Sequence, residues 1–184
     1  MDSGFAFDRA SARPRVRPAG ADDVEGMARV SVDTWRLAYE GLLPRRYLAR
    51  LRLPTQECQR RRLMAGPDTV HFVAEEPFTG EAVGFASAGS ARGEAGGGIT
   101  GEVFELYVQN GFQRQGLGRG LLLAARTWLA GQGHRTMIVW VLADNSARAF
   151  YERLGGRAAG QRAIRVGGAL VDEAAYVWSD LGTP

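Results

Sequence analysis

Residues 106–120 read Leu-Tyr-Val-Gln-Asn-Gly-Phe-Gln-Arg-Gln-Gly-Leu-Gly-Arg-Gly. The run Glu102 to Val108 is apolar and β-prone, and Gly116 opens an apolar segment with Leu121, Ala125 and Trp128 at helical spacing. A glycine-rich turn between a strand and a helix exposes a fan of backbone N–H groups at the positive end of the helix dipole. A Cβ there would keep an incoming phosphate from the amides. Arg114 and Arg119 add charge beside the turn. These residues point to a pyrophosphate site.

Two other phosphate-binding loops do not fit. A Walker loop ends in Gly-Lys-Ser/Thr, and all 23 basic residues of this chain are arginine. A dinucleotide-binding turn counted from Gly116 or Gly118 needs its third glycine where Leu121 or Leu123 stands. It also needs an acidic residue closing the next strand, which here ends in Leu142-Ala143.

Outward from this segment the chain reads as strand 13–18, a helix from Asp23 to Glu40-Gly41, a short helix after Pro44 through Leu51, and a helix from Thr55 to Met64. Strands follow at 69–74, 82–87 and 102–108, with a glycine-rich loop at 90–98 expected to be exposed and mobile. After helix 116–131 come a buried strand at 136–142, a helix capped by Asp144 or Asn145 and ending at Gly155-Gly156, and strands 161–165 and 171–179. This order predicts an α/β fold in residues 14–184, preceded by a flexible extension over 1–13.

The segment Gln113, Gly116, Gly118, followed by Asn145 and by Phe150-Tyr151-Glu152-Arg153-Leu154-Gly155, resembles the GNAT acetyltransferases over residues 102–156. The resemblance implies a mixed, mostly antiparallel sheet of six to seven strands, splayed between 102–108 and 136–142 and flanked by helices. It implies acetyl-CoA as cosubstrate, with Leu106, Tyr107 and Val108 pairing with the pantetheine arm. Residues Arg114, Gln115, Gly116, Leu117, Gly118 and Arg119 would take the pyrophosphate, Gln113 would belong to the same cofactor site, and Asn145 would bind the cofactor arm. Tyr151 would be the acid for the departing thiolate, with Ala147, one turn earlier, leaving room for the cofactor.

The attacking amine must be neutral, and a carboxylate can take its proton. Glu102 and Glu105 are the candidates. On a regular strand they point to opposite faces, and Glu102 is preferred because it matches a glutamate kept by some family members. Trp35 and Tyr39 fall where the family forms its acceptor wall. Trp140 stands where some peptide N-acetyltransferases carry a glutamate, and with the helical stretch 21–65 it favours an enclosed pocket.

The expected reaction is direct acetyl transfer to a small-molecule primary amine in a ternary complex. The alternatives are a protein or peptide N-acetyltransferase and a non-catalytic acyl-CoA sensor. A homodimer fits family habit. The lone Cys58 and the separated His71 and His134 provide no metal-ligand spacing. Arg60, Arg61 and Arg62 read as a solvated helix face. A net charge of +3, with 20 acidic residues interspersed, gives no case for nucleic acid. No stretch reaches membrane-spanning length, and a cytoplasmic setting is expected.

Overall fold

The structure is a computed structural model that describes residues 14–92 and 98–182. The expected extension at 1–13 and most of the glycine-rich loop lie outside these residues. Seven strands form one sheet: β1 (Arg15–Pro18), β2 (Thr69–Glu75), β3 (Ala82–Ser90), β4 (Gly101–Val108), β5 (Met137–Leu142), β6 (Arg157–Val166) and β7 (Ala169–Trp178). Their order across the sheet is β1-β2-β3-β4-β5-β7-β6. Every neighbouring pair is antiparallel except β4 and β5. The α-helices are α1 (Val24–Ala38), α2 (Arg45–Leu48), α3 (Leu53–Met64), α4 (Leu117–Gly131) and α5 (Arg148–Arg153).

The parallel joint is the break in the sheet. β4 and β5 pair only through Gly101–Met137, Glu102–Ile138 and Val103–Val139. Beyond them β4 keeps its ladder with β3 as far as Val108, and β5 keeps its ladder with β7 as far as Leu142. The facing edges from Phe104 and Trp140 onward are therefore free of strand partners, and the sheet opens into a V.

Each face of the sheet has its own core. On one, Leu121, Ala125 and Leu129 of α4 pack onto Ala86, Ala88, Val103, Val139 and Tyr176. On the other, Met27 and Val30 of α1 pack onto Val73 and Phe85. Each such side chain contributes about 1.5–3 kcal/mol when fully buried, so apolar contact holds α1 and α4. The helix α3 is different, because its single buried residue is Arg60. A third cluster joins Leu43 and Leu48 to Leu142, with Tyr39, Tyr47, Val166 and Val171 around it. It fastens the α1–α2 segment to the tip of the β6–β7 hairpin.

The closing hairpin is longer than expected: β6 begins at Arg157 and β7 at Ala169. Residues 157–160 (Arg-Ala-Ala-Gly) have weak strand propensity by themselves. Their pairing with Val177, Tyr176 and Ala175 overrides it. The helix after Pro44 stops at Leu48, three residues sooner than the sequence pattern implies.

Candidate active site

A cavity of about 1350 Å³ occupies the V between β4 and β5. It is lined from β4 by Glu105, Leu106, Tyr107 and Val108, from the start of α5 by Ala147, just before the helix, and from α5 itself by Tyr151. Because the sheet is parted here, side chains from both of its faces reach one space. Tyr151 belongs to the core under α4, whereas Tyr107 packs with the core under α1.

One end of the cavity is built for an anion. Gly116 takes φ +84°, a left-handed conformation open to glycine at little cost, and turns the chain into α4. The first turn of a helix leaves its N–H groups without intrahelical partners, and no side chain caps α4 among the described residues. Arg114 and Arg119 line the same region. The two glutamines brace the loop instead of reaching into it. Gln113 donates to the Val108 carbonyl at 3.0 Å, and Gln115 to the Gly111 carbonyl at 3.2 Å. Of the predicted phosphate residues, Gln115 and Leu117 do not line the cavity; Leu117 is buried in the core.

Asn145 lies at the cavity wall, and its Oδ1 accepts the Ala147 N–H at 2.8 Å. The expected cap at Asp144 or Asn145 is corrected: Ala147 is the N-cap of α5 and has no side-chain cap, while Asn145 shapes the turn that precedes it. Tyr151 follows one turn later and is 6% exposed. Burial pushes its phenol well above its ordinary pKa, and the nearby Tyr39 adds to the effect. Behind it lies Tyr176, stacked at 5.9 Å between centroids. The Tyr176 hydroxyl accepts from Arg148 at 3.0 Å and donates to Glu152 at 2.7 Å. The hydroxyl of the ring that backs Tyr151 is thereby held by two partners.

The opposite wall carries the carboxylate question. Between Ser87 and Ala88 the β3–β4 register slips by one residue: Ser87 faces Glu105, Ala88 faces Val103, and Phe104 is extra. This β-bulge reverses the parity of the strand. Glu102 opposite Gly89 and Glu105 opposite Ser87 therefore share a face, contrary to the regular-strand expectation. The structure places Glu105, and not the preferred Glu102, on the cavity wall. Glu102 is buried, with one oxygen accepting the Arg92 backbone N–H at 2.8 Å and the other its guanidinium at 2.9 Å.

Glu105 is gripped from outside the cavity by Arg60. One guanidinium nitrogen donates to Oε1 at 2.6 Å and the other to Oε2. Arg60 is 2% exposed and stands over the Phe85 ring at 4.4 Å. The solvated-face reading holds for Arg61 and Arg62, which are exposed, and is corrected for Arg60.

Tyr39 lines the cavity, as does Trp140, whose ring carries the Arg162 guanidinium at 3.9 Å. Trp35 does not line it; the indole packs edge-on against Tyr39 at 4.9 Å. Burial raises the phenols of both Tyr39 and Tyr107, and each lies near enough to influence the other. Sequence reasoning missed Arg60 and Tyr176. Tyr176 carried a readable signal, the inward alternation of Ala174, Tyr176 and Trp178.

No group of three or more His, Cys, Asp or Glu side chains that could hold a metal occurs among the described residues. Within the same residues no helix is long and apolar enough to cross a membrane.

The model of the acetyltransferase (GNAT) family matches residues 32–156. The uncharacterized N-acetyltransferase YuaI of Bacillus subtilis (strain 168) is 33% identical over 90% of this chain and 93% of its own length. A solved GCN5-related N-acetyltransferase of Rhodopseudomonas palustris shares the fold at a TM-score of 0.72 and 20% identity, covering 91% of this chain and 96% of that one. YncA of Salmonella typhimurium, solved with acetyl-CoA, superposes at a TM-score of 0.68 and 21% identity, with 93% and 95% covered.

Proposed function

The chain belongs to the GNAT family of acetyltransferases, and from that premise we propose that it moves an acetyl group from acetyl-CoA to the primary amine of a small molecule. The observation that carries this reading is the meeting of Tyr151 and Glu105 in one cavity from opposite faces of a parted sheet.

The residues present fit acetyl-CoA. The uncapped start of α4, flanked by Arg114 and Arg119, matches a pyrophosphate. The free edge of β4 over Leu106, Tyr107 and Val108 matches an arm that carries amide groups, which would add to the sheet like a strand. The bound cosubstrate supplies a thioester carbonyl for a nucleophile to attack.

Direct transfer in a ternary complex has two proton requirements. The acceptor amine arrives as an ammonium and must lose a proton before it has a lone pair. Of the carboxylates that line the cavity, Asp33, Glu40, Glu105 and Asp144, we assign Glu105, which stands on β4 where the sheet parts, to receive it, directly or through water. The C–N bond forms and the C–S bond breaks, leaving negative charge on sulfur. Tyr151 is assigned to meet that charge with its O–H. Its raised pKa keeps it protonated across neutral pH. A phenol is a weaker acid than an ordinary thiol, whose pKa is about 8.5, so Tyr151 acts by a hydrogen bond that shares its proton during departure.

A small acceptor is favoured over a peptide by the third core cluster. It ties the α1–α2 segment to Val166 and Val171 of the hairpin and walls the cavity beside Tyr39. Replacing Tyr151→Phe removes the O–H and keeps the ring against Tyr176. The expected result is a fall in kcat on the order of a hundredfold or more, with the acetyl-CoA-induced rise in Tm retained. Unchanged kcat removes Tyr151 from the chemistry.

A further inference from the structure

We infer that Arg60 is a positioning residue for acetyl transfer, acting through Glu105; this rests on the reading that Glu105 meets the acceptor amine. Nothing in the local sequence of α3 marks Arg60, which sits between exposed neighbours in a polar helix. The structure sets it apart on three counts. It is the one residue that α3 buries. Its guanidinium fork takes both oxygens of Glu105. Its plane is fixed over Phe85, in the core beneath α1.

Glu105 needs such a hold because of where it stands. It follows the bulge at Phe104, on the stretch of β4 that has lost β5 as a neighbour. A glutamate side chain has three torsions and, at the rim of an open cavity, many rotamers. A two-point contact with a planar fork fixes both the direction and the roll of the carboxylate. A carboxylate has about four lone-pair sites. The fork occupies one on each oxygen and leaves the others for an amine entering the cavity. Stability alone is a poor account of this pair, since burying an ion pair gains little net free energy over an apolar contact. A lysine could supply the charge but not the fork.

The test compares Arg60→Lys, Glu105→Gln and the double variant with the wild type. Free thiol released from acetyl-CoA is followed with tyramine, putrescine or glycinamide, using whichever the wild type acetylates fastest. Thermal melting of each variant, with and without acetyl-CoA, reports folding and cofactor binding separately. The expected result is a fall in kcat on the order of tenfold to a hundredfold for Arg60→Lys, with KM for acetyl-CoA unchanged. In the Glu105→Gln background the same replacement should cause no further loss, because the group it positions is gone. Losses that multiply independently in the double variant overturn the inference, as does full activity in Arg60→Lys. If Arg60→Lys does not melt cooperatively, Arg60→Gln is read by the same comparison. Full activity in Glu105→Gln, or no turnover by the wild type with any of the three amines, overturns the functional reading itself.

Discussion

His71 is buried on β2, with its Nδ1 at 2.8 Å from the Ser87 hydroxyl. Burial, the largest influence, holds its pKa below the ordinary 6.5; Arg60 from α3 also lowers it, while Glu105 on β4 and the Leu63 backbone oppose the change. The folded chain thus keeps a neutral imidazole where the unfolded chain takes up a proton. Stability is complete above about pH 6.5 and declines as the pH falls from there toward the lower folded pKa. Urea midpoints measured from pH 7.5 to 5 should show this decline, and His71→Asn should flatten it. The same slope in the variant would assign it to another group. At this scale the sequence was only partly legible. Gln113, Gly116, Gly118, Asn145 and Tyr151 stand in a local pattern, whereas the choice between Glu102 and Glu105 depends on a bulge created by pairing with β3. Arg60 could not be singled out from Arg61 and Arg62, because what distinguishes it is a partner 45 residues away.

Among the elements, α5 bears most on the site, because it carries Tyr151 and runs directly into the glycine pair before β6. A Cβ at Gly156 would lie 2.9 Å from the Trp178 ring and 3.0 Å from the Tyr151 carbonyl. Trp178 is itself pinned, donating to the Leu154 carbonyl at 2.8 Å and packing edge-on against Tyr151. Neither neighbour can yield without moving the helix. Gly156→Ala should cost about 1–3 kcal/mol of stability, seen as a Tm drop of roughly 2–4 °C per kcal/mol. An unchanged melting curve would mean that the α5–β7 contact is softer than this packing implies. The helices and central strands were legible from periodicity, since α1, α4, β4 and β5 carry apolar residues at the spacing of their buried faces. The start of β6 was not, because Ala158 and Gly160 become strand only through β7.

The whole molecule gains its site from a topological seam. Seven strands are joined by five antiparallel pairings and one parallel one, and three residue pairs are all that join β4 to β5. The seam admits Tyr151 from one face and Tyr107, Glu105 and Tyr39 from the other. The α1–α2 segment, packed on the hairpin, lines one side of the cavity with Tyr39 and Leu42. That wall leads to the prediction that small amines, and not peptide N-termini, are acetylated. The most direct test is release of free thiol from acetyl-CoA by the purified chain, with a panel of small primary amines set beside peptides bearing free N-termini. The account predicts amine-dependent release with at least one small amine and none above background with the peptides. Release with the peptides alone, or with no acceptor at all despite stabilisation by acetyl-CoA, would contradict it.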